Sequence, residues 1–188
     1  MLFVVLALAA GVGLGYAQRG RLRSFASLPL SLFLVLWLAL ALQLVLVYAP
    51  VGARFALVLG SYLLAGAWLW WSASRLREAL LGISLMAFGW FLNLLVISAN
   101  GGMPVSRAAV IRAGLPWTDV REGSLFKHVA AGPDTPLRFL GDVIAVPPVH
   151  RVVSLGDIVL LLGIVLFVSQ VMRSDTTRLP MQAAASRR

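Results

Sequence analysis

The sequence predicts an all-α membrane protein with five transmembrane helices, the N-terminus outside and the C-terminus inside, and a small folded extracytoplasmic cap between helices four and five. Three observations lead there. Of the 188 residues, 60% are hydrophobic and only 12% are charged, against about 45–50% apolar and about 25% charged in a soluble domain. Five apolar runs reach or approach the roughly 20 residues a helix needs to cross the hydrocarbon core. One long segment, 99–154, concentrates prolines and acids instead.

The five runs are Met1–Ala17, Leu30–Ala49, Phe55–Ser72, Leu80–Ser98 and Leu155–Met172. The first is short, and Ala7-Leu8-Ala9 resembles a signal-peptide cleavage site. It lacks a basic leading region and has few apolar residues before that site, so it reads as a retained helix. Charge sets the orientation. Arg19, Arg21 and Arg23 follow the first run, Arg75 and Arg77 separate the third from the fourth, and Arg173, Arg178, Arg187 and Arg188 follow the fifth. With alternating spans all of these fall on one side, which the positive-inside rule makes cytoplasmic. The short opposite loop, from Ala49 to Arg54, carries Arg54 alone. Trp68, Trp70 and Trp71 precede Arg75, where an interfacial aromatic belt is expected.

The chain therefore divides into a four-helix region (1–98), a cap (99–154), a fifth helix (155–172) and a polar cytoplasmic tail (173–188). The cap segment holds six of the nine prolines, both histidines and four of the seven acids. Its Trp117, Phe126, Phe139 and valine runs predict a folded lid. "PVSRAAVIRAG" (104–114) predicts a short helix opened near Pro104 and closed at Gly114. Val143–Val146 and Val149–Val153 predict short extended pieces around Pro147-Pro148.

Several function classes are excluded. There is no cysteine, hence no disulfide framework and no thiolate chemistry. No phosphate-cradling glycine motif, serine triad or dinucleotide fingerprint is present, and the apolar runs lack the acid and base chains of a proton-coupled pump. The net charge of +9 fits topology and anionic lipid better than nucleic acid in a chain this apolar. No cofactor is expected. His128 and His150 lack metal-type spacing. Lys127-His128 and Arg107, Arg112, Arg138 and Arg151 are expected to meet lipid headgroups or a partner's acidic surface.

The candidate chemistry lies in a near-repeat. Leu140-Gly141-Asp142-Val143-Ile144 is echoed by Leu155-Gly156-Asp157-Ile158-Val159. Ser154-x-x-Asp157 before an apolar run is close to a capping box, which explains Asp157 structurally. Asp142 has no equally good structural role beyond a turn. Two carboxylates brought together share a proton, so that one acts as base toward water and the other as acid toward a carbonyl. The intervening residues are long enough for a hairpin-like return that would unite them. Asn93 and Asn100 lie seven positions apart, on one face of a continuing helix, and with Ser154, Gly101 and Gly102 are the supporting polar and small residues. Interhelical glue is the competing reading of Asn93 and of Gln43, and a helix stop that of Gly101-Gly102. Gly11, Gly13 and Gly15 are expected to permit close helix packing.

"VISANGGMPVS", "FLGDVIAVP" and "SLGDIVLLLG" resemble a family of small bacterial multi-pass membrane proteins catalogued as a domain of unknown function. That resemblance implies a plasma-membrane location and no particular activity. Residues 140–163 also resemble the end of signal peptidase II, the membrane aspartyl protease of prolipoproteins. Asp142 in "LGDVI" matches that family's first catalytic aspartate, and Asp157 in "SLGDIVLLLG" its second. "NGGMPVS" is similar to its N-x-G-A-A-F-S element. Its G-N-x-x-D-R motif is missing and the interval between aspartates is shorter. The resemblance implies an aspartate dyad at the outer face, acting on a membrane-inserted or lipid-linked peptide. The alternative is a non-catalytic membrane module whose cap binds a partner protein or lipid headgroup.

Overall fold

The computed structural model describes residues 2–28, 51–117 and 128–185, with isolated positions between 34 and 45. The described chain is mostly helical. Helix α1 spans Leu2–Ala17, α2 Val51–Arg75, α3 Leu80–Asn100, α4 Arg107–Arg112 and α5 Leu155–Ala185. Four three-residue strands complete it: β1 (Met103–Val105), β2 (His128–Ala130), β3 (Ile144–Val146) and β4 (Arg151–Val153). Three stretches are long and apolar enough to cross a membrane: Phe55–Arg75, Arg77–Asn100 and Leu155–Ser174. α1 is apolar but has only 16 residues, a rise of about 24 Å. The expected second span, Leu30–Ala49, lies almost wholly outside the described residues.

α5 is the axis of the bundle, and glycine lets its neighbours approach. A Cβ on Gly82 would strike the Phe167 backbone, and one on Gly89 would strike Gly156 O and the Leu160 backbone. Reciprocally, a Cβ on Gly163 would meet Met86 N and Gly82 O, and one on Gly156 would strike the Asn93 side chain. Each helix thus offers two glycines seven residues apart on its contact face, and the order of contacts makes α3 and α5 antiparallel. On another side of α5, Gly11 faces Val165 and Val168 while Gly15 faces Met172, so α1 runs parallel to α5. Gly13, expected to share this role, has nothing within 4 Å of its would-be Cβ. Two residues from Gly11 is the wrong face of a helix with 3.6 residues per turn.

α2 lies antiparallel to α3. Val58 packs with Val96 and Ile97 at one end, and Trp68 and Leu69 pack with Ile83 at the other. Trp90 fills the notch at Gly66, and its Nε1 donates to Tyr62 O at 3.0 Å. Polar groups close the end of the bundle away from the cap. Arg21 N and Ser24 Oγ both donate to Met172 O, at 2.7 and 3.1 Å. Gln170 Oε1 accepts from Gly82 N at 2.9 Å, supplying a partner to one of the free N–H groups of the first turn of α3. Arg19, Arg21, Arg23, Arg75, Arg77 and Arg173 all belong to this end.

Three expectations need correction. Trp68 is not a belt residue; it is 5% exposed and meets Phe167 edge-on at 6.1 Å between centroids. Trp70, 82% exposed, faces outward, while Trp71 is half-buried against the same core with the Arg75 guanidinium 5.8 Å from its ring. The cap is not all-α: β1 pairs with β2 in parallel and β3 with β4 antiparallel. Nor does the last helix stop at Met172. It continues to Ala185, past Pro180.

The glycine crossing makes a direct prediction. Gly163→Val should lower stability in thermal or SDS unfolding by about 1–3 kcal/mol, because the added carbons meet backbone that cannot move aside. Gly13→Ala should stay within about 0.5 kcal/mol of the parent.

Candidate functional site

The capped end of the bundle is organised by β1. α3 ends at Gly101, whose φ of +70° is the left-handed stop that glycine adopts without strain. The chain then enters β1. β2 pairs along β1 with Met103 opposite His128 and Val105 opposite Ala130. A second partner comes from residue 142. Asp142 N donates to Pro104 O at 2.8 Å, and Ser106 N donates to Asp142 O at 3.0 Å. Gly141 passes so close to Pro104 O that a Cβ would collide there. Both backbone groups of Asp142 are therefore fixed by β1. α4 follows, capped by Ser106 rather than opened at Pro104, and ends before Gly114 with φ +74°. Pro104 is a strand residue with no N–H to offer, and its free carbonyl is what holds Asp142.

From Asp142 the chain makes the hairpin that its valine runs predict. Ile144 pairs with Val153 and Val146 with Arg151, around a turn through Pro147–Val149 and His150, whose φ is +48°. The hairpin returns the chain to the start of α5, so the two Leu-Gly-Asp copies flank its open end.

At that start Asp157 is held by hydrogen bonds on every side. Ser154 N donates to Asp157 Oδ2 at 3.2 Å, and Asp157 N donates to Ser154 Oγ at 3.0 Å. This is the reciprocal arrangement of a capping box, with aspartate in the glutamate position. Asn93 joins it from α3. Its Nδ2 donates to Asp157 Oδ1 at 2.7 Å, and its Oδ1 accepts from Ser154 Oγ at 3.0 Å. Asn93 is 4% exposed and Ser154 fully buried. An interhelical amide so deep would be costly unpaired; here it is fully paired.

Asp142 presents a different picture. It is 6% exposed. Its Oδ2 lies 3.2 Å from His128 Nε2, while its Oδ1 is buried with no hydrogen-bond partner among the described residues, as is His128 Nδ1. Burial pushes the Asp142 carboxyl above its ordinary 3.8; the His128 hydrogen bond and charge pull the other way, and the Asp157 charge adds to the rise. The two aspartates thus feel one another without sharing a hydrogen bond. Tyr62 of α2 stands within electrostatic reach of both.

The other candidates separate. Asn100 does not join Asn93: its Nδ2 donates to Val96 O at 2.8 Å and to Pro136 O at 3.0 Å. It tethers the 132–136 turn and lines an open concavity with Val129, Ala130, Asp134 and Thr135. Gly101 serves as the helix stop, and Gly102 is buried beside it. His128, expected to meet headgroups or a partner, faces Asp142 instead, because parallel pairing to β1 turns it inward. His150 stacks on Gly114. Among the described residues no three of His, Cys, Asp and Glu converge as a metal site would require. Asp119, Glu122, Phe126 and Lys127 lie outside the described residues.

With this geometry in hand, comparison places the chain. It belongs to DUF5317, a family of unknown function. The family profile matches residues 22–169, a span that includes Asn93, His128, Asp142 and Asp157. No curated protein and no solved structure matches the chain. The comparisons therefore give no support to the resemblance to signal peptidase II, and membership of DUF5317 brings no activity with it.

Two outcomes follow. Ser154→Ala and Asn93→Ala should each cost about 1–2 kcal/mol in reversible unfolding. The double variant should lose less than the sum, because both remove the Ser154–Asn93 bond; strict additivity would contradict the network. Stability should also depend on Asp142 through pH. A carboxyl raised in the folded state binds its proton more tightly there than in the unfolded chain. Its contribution is full below the unfolded value of 3.8 and is lost as pH rises through the folded value. Thermal unfolding of Asp142→Asn across that range should lack this decline.

Proposed function

We propose that this DUF5317 member is a multi-pass protein of the bacterial plasma membrane whose capped end is an aspartyl hydrolase site acting on a membrane-inserted or lipid-linked peptide. One observation carries the reading: the Asp142 carboxyl is buried, and its Oδ1 has no hydrogen-bond partner among the described residues. A cap that used this acid only to hold itself together would satisfy that oxygen, since an unpaired buried polar atom costs about 1–3 kcal/mol.

In this reading Asp142 is the general acid and Asp157 the general base. Burial favours the protonated carboxyl at Asp142. Two N–H donors, from Asn93 and Ser154, suit a carboxylate at Asp157. Asp157 takes a proton from water as the water oxygen bonds to the peptide carbonyl carbon, and Asp142 gives its proton to the carbonyl oxygen. When the tetrahedral intermediate collapses, the C–N bond breaks, the amine leaves with the proton held by Asp157, and Asp142 regains its own. Water is the only co-reactant and no cofactor is needed.

The orientation follows from charge. The arginines at the far end of the bundle, Arg19, Arg21, Arg23, Arg75, Arg77 and Arg173 among them, suit the cytoplasmic face and its anionic lipid, which favours the cap outside, the N-terminus outside and the C-terminus inside. Parallel α1 and α5, with α3 antiparallel, agree with alternating spans.

The second reading, a non-catalytic module whose cap binds a partner protein or a lipid headgroup, draws on the saturated hydrogen bonding of Asp157. Reconstitution separates the two. Wild-type protein in liposomes with transmembrane and lipid-anchored peptides should release cleavage products detectable by mass spectrometry. Asp142→Asn and Asp157→Asn should each abolish release while retaining wild-type circular dichroism. Cleavage that survives Asp142→Asn would overturn the hydrolase reading. No cleavage by wild type, with Asp157→Asn reducing only stability, favours the module.

A further inference from the structure

His128 reaches Asp142 across β1. It stands on β2 opposite Met103, while Asp142 bridges to Val105 on the other edge. The pair meets through one contact, Nε2 to Oδ2 at 3.2 Å, and each side chain keeps its second polar atom buried and, among the described residues, without a partner. Buried side-chain polar atoms in folded proteins nearly always have partners. Two bare atoms on either side of one hydrogen bond point to a pair set up to act on something else.

The imidazole decides where the proton of the carboxyl resides. An imidazole carrying one proton has one donor nitrogen and one acceptor. If Nε2 is the donor, Oδ2 of Asp142 accepts and the carboxyl proton must sit on Oδ1. If Nδ1 carries the proton, Nε2 accepts, and the carboxyl spends its proton on the imidazole. If both nitrogens carry one, the pair is an ion pair and Asp142 has no proton to give.

We propose that His128 is a positioning residue for Asp142: its Nε2–H donates to Oδ2 and thereby fixes the carboxyl proton on Oδ1, the oxygen free to donate to a substrate carbonyl. The assignment rests on Asp142 being the general acid of the proposed site. It gives His128 a role in a cap with no metal cluster among its described residues. The groups facing Asp142 are His128 from β2 and Asp157 from α5, with Tyr62 of α2 facing the same charge.

The test is spectroscopic and uses the full chain in liposomes. Nitrogen-15 NMR of labelled histidine reads the His128 tautomer, identified by its loss in His128→Leu. Infrared spectroscopy reads the Asp142 carboxylic-acid band, identified by its loss in Asp142→Asn. The expected result is an Nε2–H tautomer beside a protonated Asp142. In His128→Leu the band should titrate at higher pH than in wild type, because the donor that eases ionisation is gone. In His128→Gln, whose side-chain amide still donates, titration should return toward wild type. An Nδ1–H tautomer, a doubly protonated imidazole beside an ionised Asp142, or identical titration in wild type and His128→Leu would each overturn the proposal. So would His128→Gln behaving as His128→Leu does. Absence of peptide cleavage with these spectra intact would remove the hydrolytic reading and leave the proton placement standing.

Discussion

The close crossing of α3 and α5 is the constraint on which the rest depends. In a bilayer the hydrophobic effect does little to press helices together, so contact rests on van der Waals packing and interhelical hydrogen bonds. Glycines at 82, 89, 156 and 163 let the two backbones approach until Cβ atoms would collide. That approach brings the Asn93 amide to the first turn of α5. Any larger residue at 156 would occupy the space of the Asn93 side chain. The interhelical distance and the hydrogen bonds to Asp157 are therefore one arrangement. Both also fix where α5 begins, and so where the hairpin delivers Asp142.

The cap then solves a different problem. It holds Asp142 by its backbone, whose N–H and C=O are spent on Pro104 and Ser106, while the side chain meets His128 through Oδ2 and leaves Oδ1 unpaired among the described residues. Asp157 shows the opposite economy, with both carboxylate oxygens committed to Ser154 and Asn93. Two aspartates in nearly identical sequence surroundings thus receive different environments. Environments that push two acids apart are what acid–base chemistry at one pH requires.

Much of this was legible in the sequence, for physical reasons. The third, fourth and fifth apolar runs are long enough to be recognised by length alone. Ser154 and Asp157 carry their capping role in a four-residue spacing, and the valine runs around Pro147-Pro148 carry the hairpin. The seven-residue glycine spacing in two separate runs was also readable, and it marks the crossing better than Gly11, Gly13 and Gly15 do. His128 was not readable. Its meeting with Asp142 depends on parallel pairing across 25 residues, which no local pattern encodes, and its turn inward depends on register. Asn100 shares α3 with Asn93, but its amide turns back to Val96 O and out to Pro136 O, contacts that helical periodicity does not encode. The start of α4 misled because Pro104 serves a strand, leaving Ser106 to cap.

The central claim is that Asp142 and Asp157 form one electrostatic site. The Asp157 charge helps hold the Asp142 carboxyl above its ordinary value, so removing that charge must ease ionisation of Asp142. Carbon-13 NMR of labelled aspartate, in wild type and in Asp157→Asn reconstituted in the same liposomes, measures this directly. The account predicts that Asp142 titrates at lower pH once Asp157 is neutral. An unchanged Asp142 titration in a folded Asp157→Asn protein would contradict it.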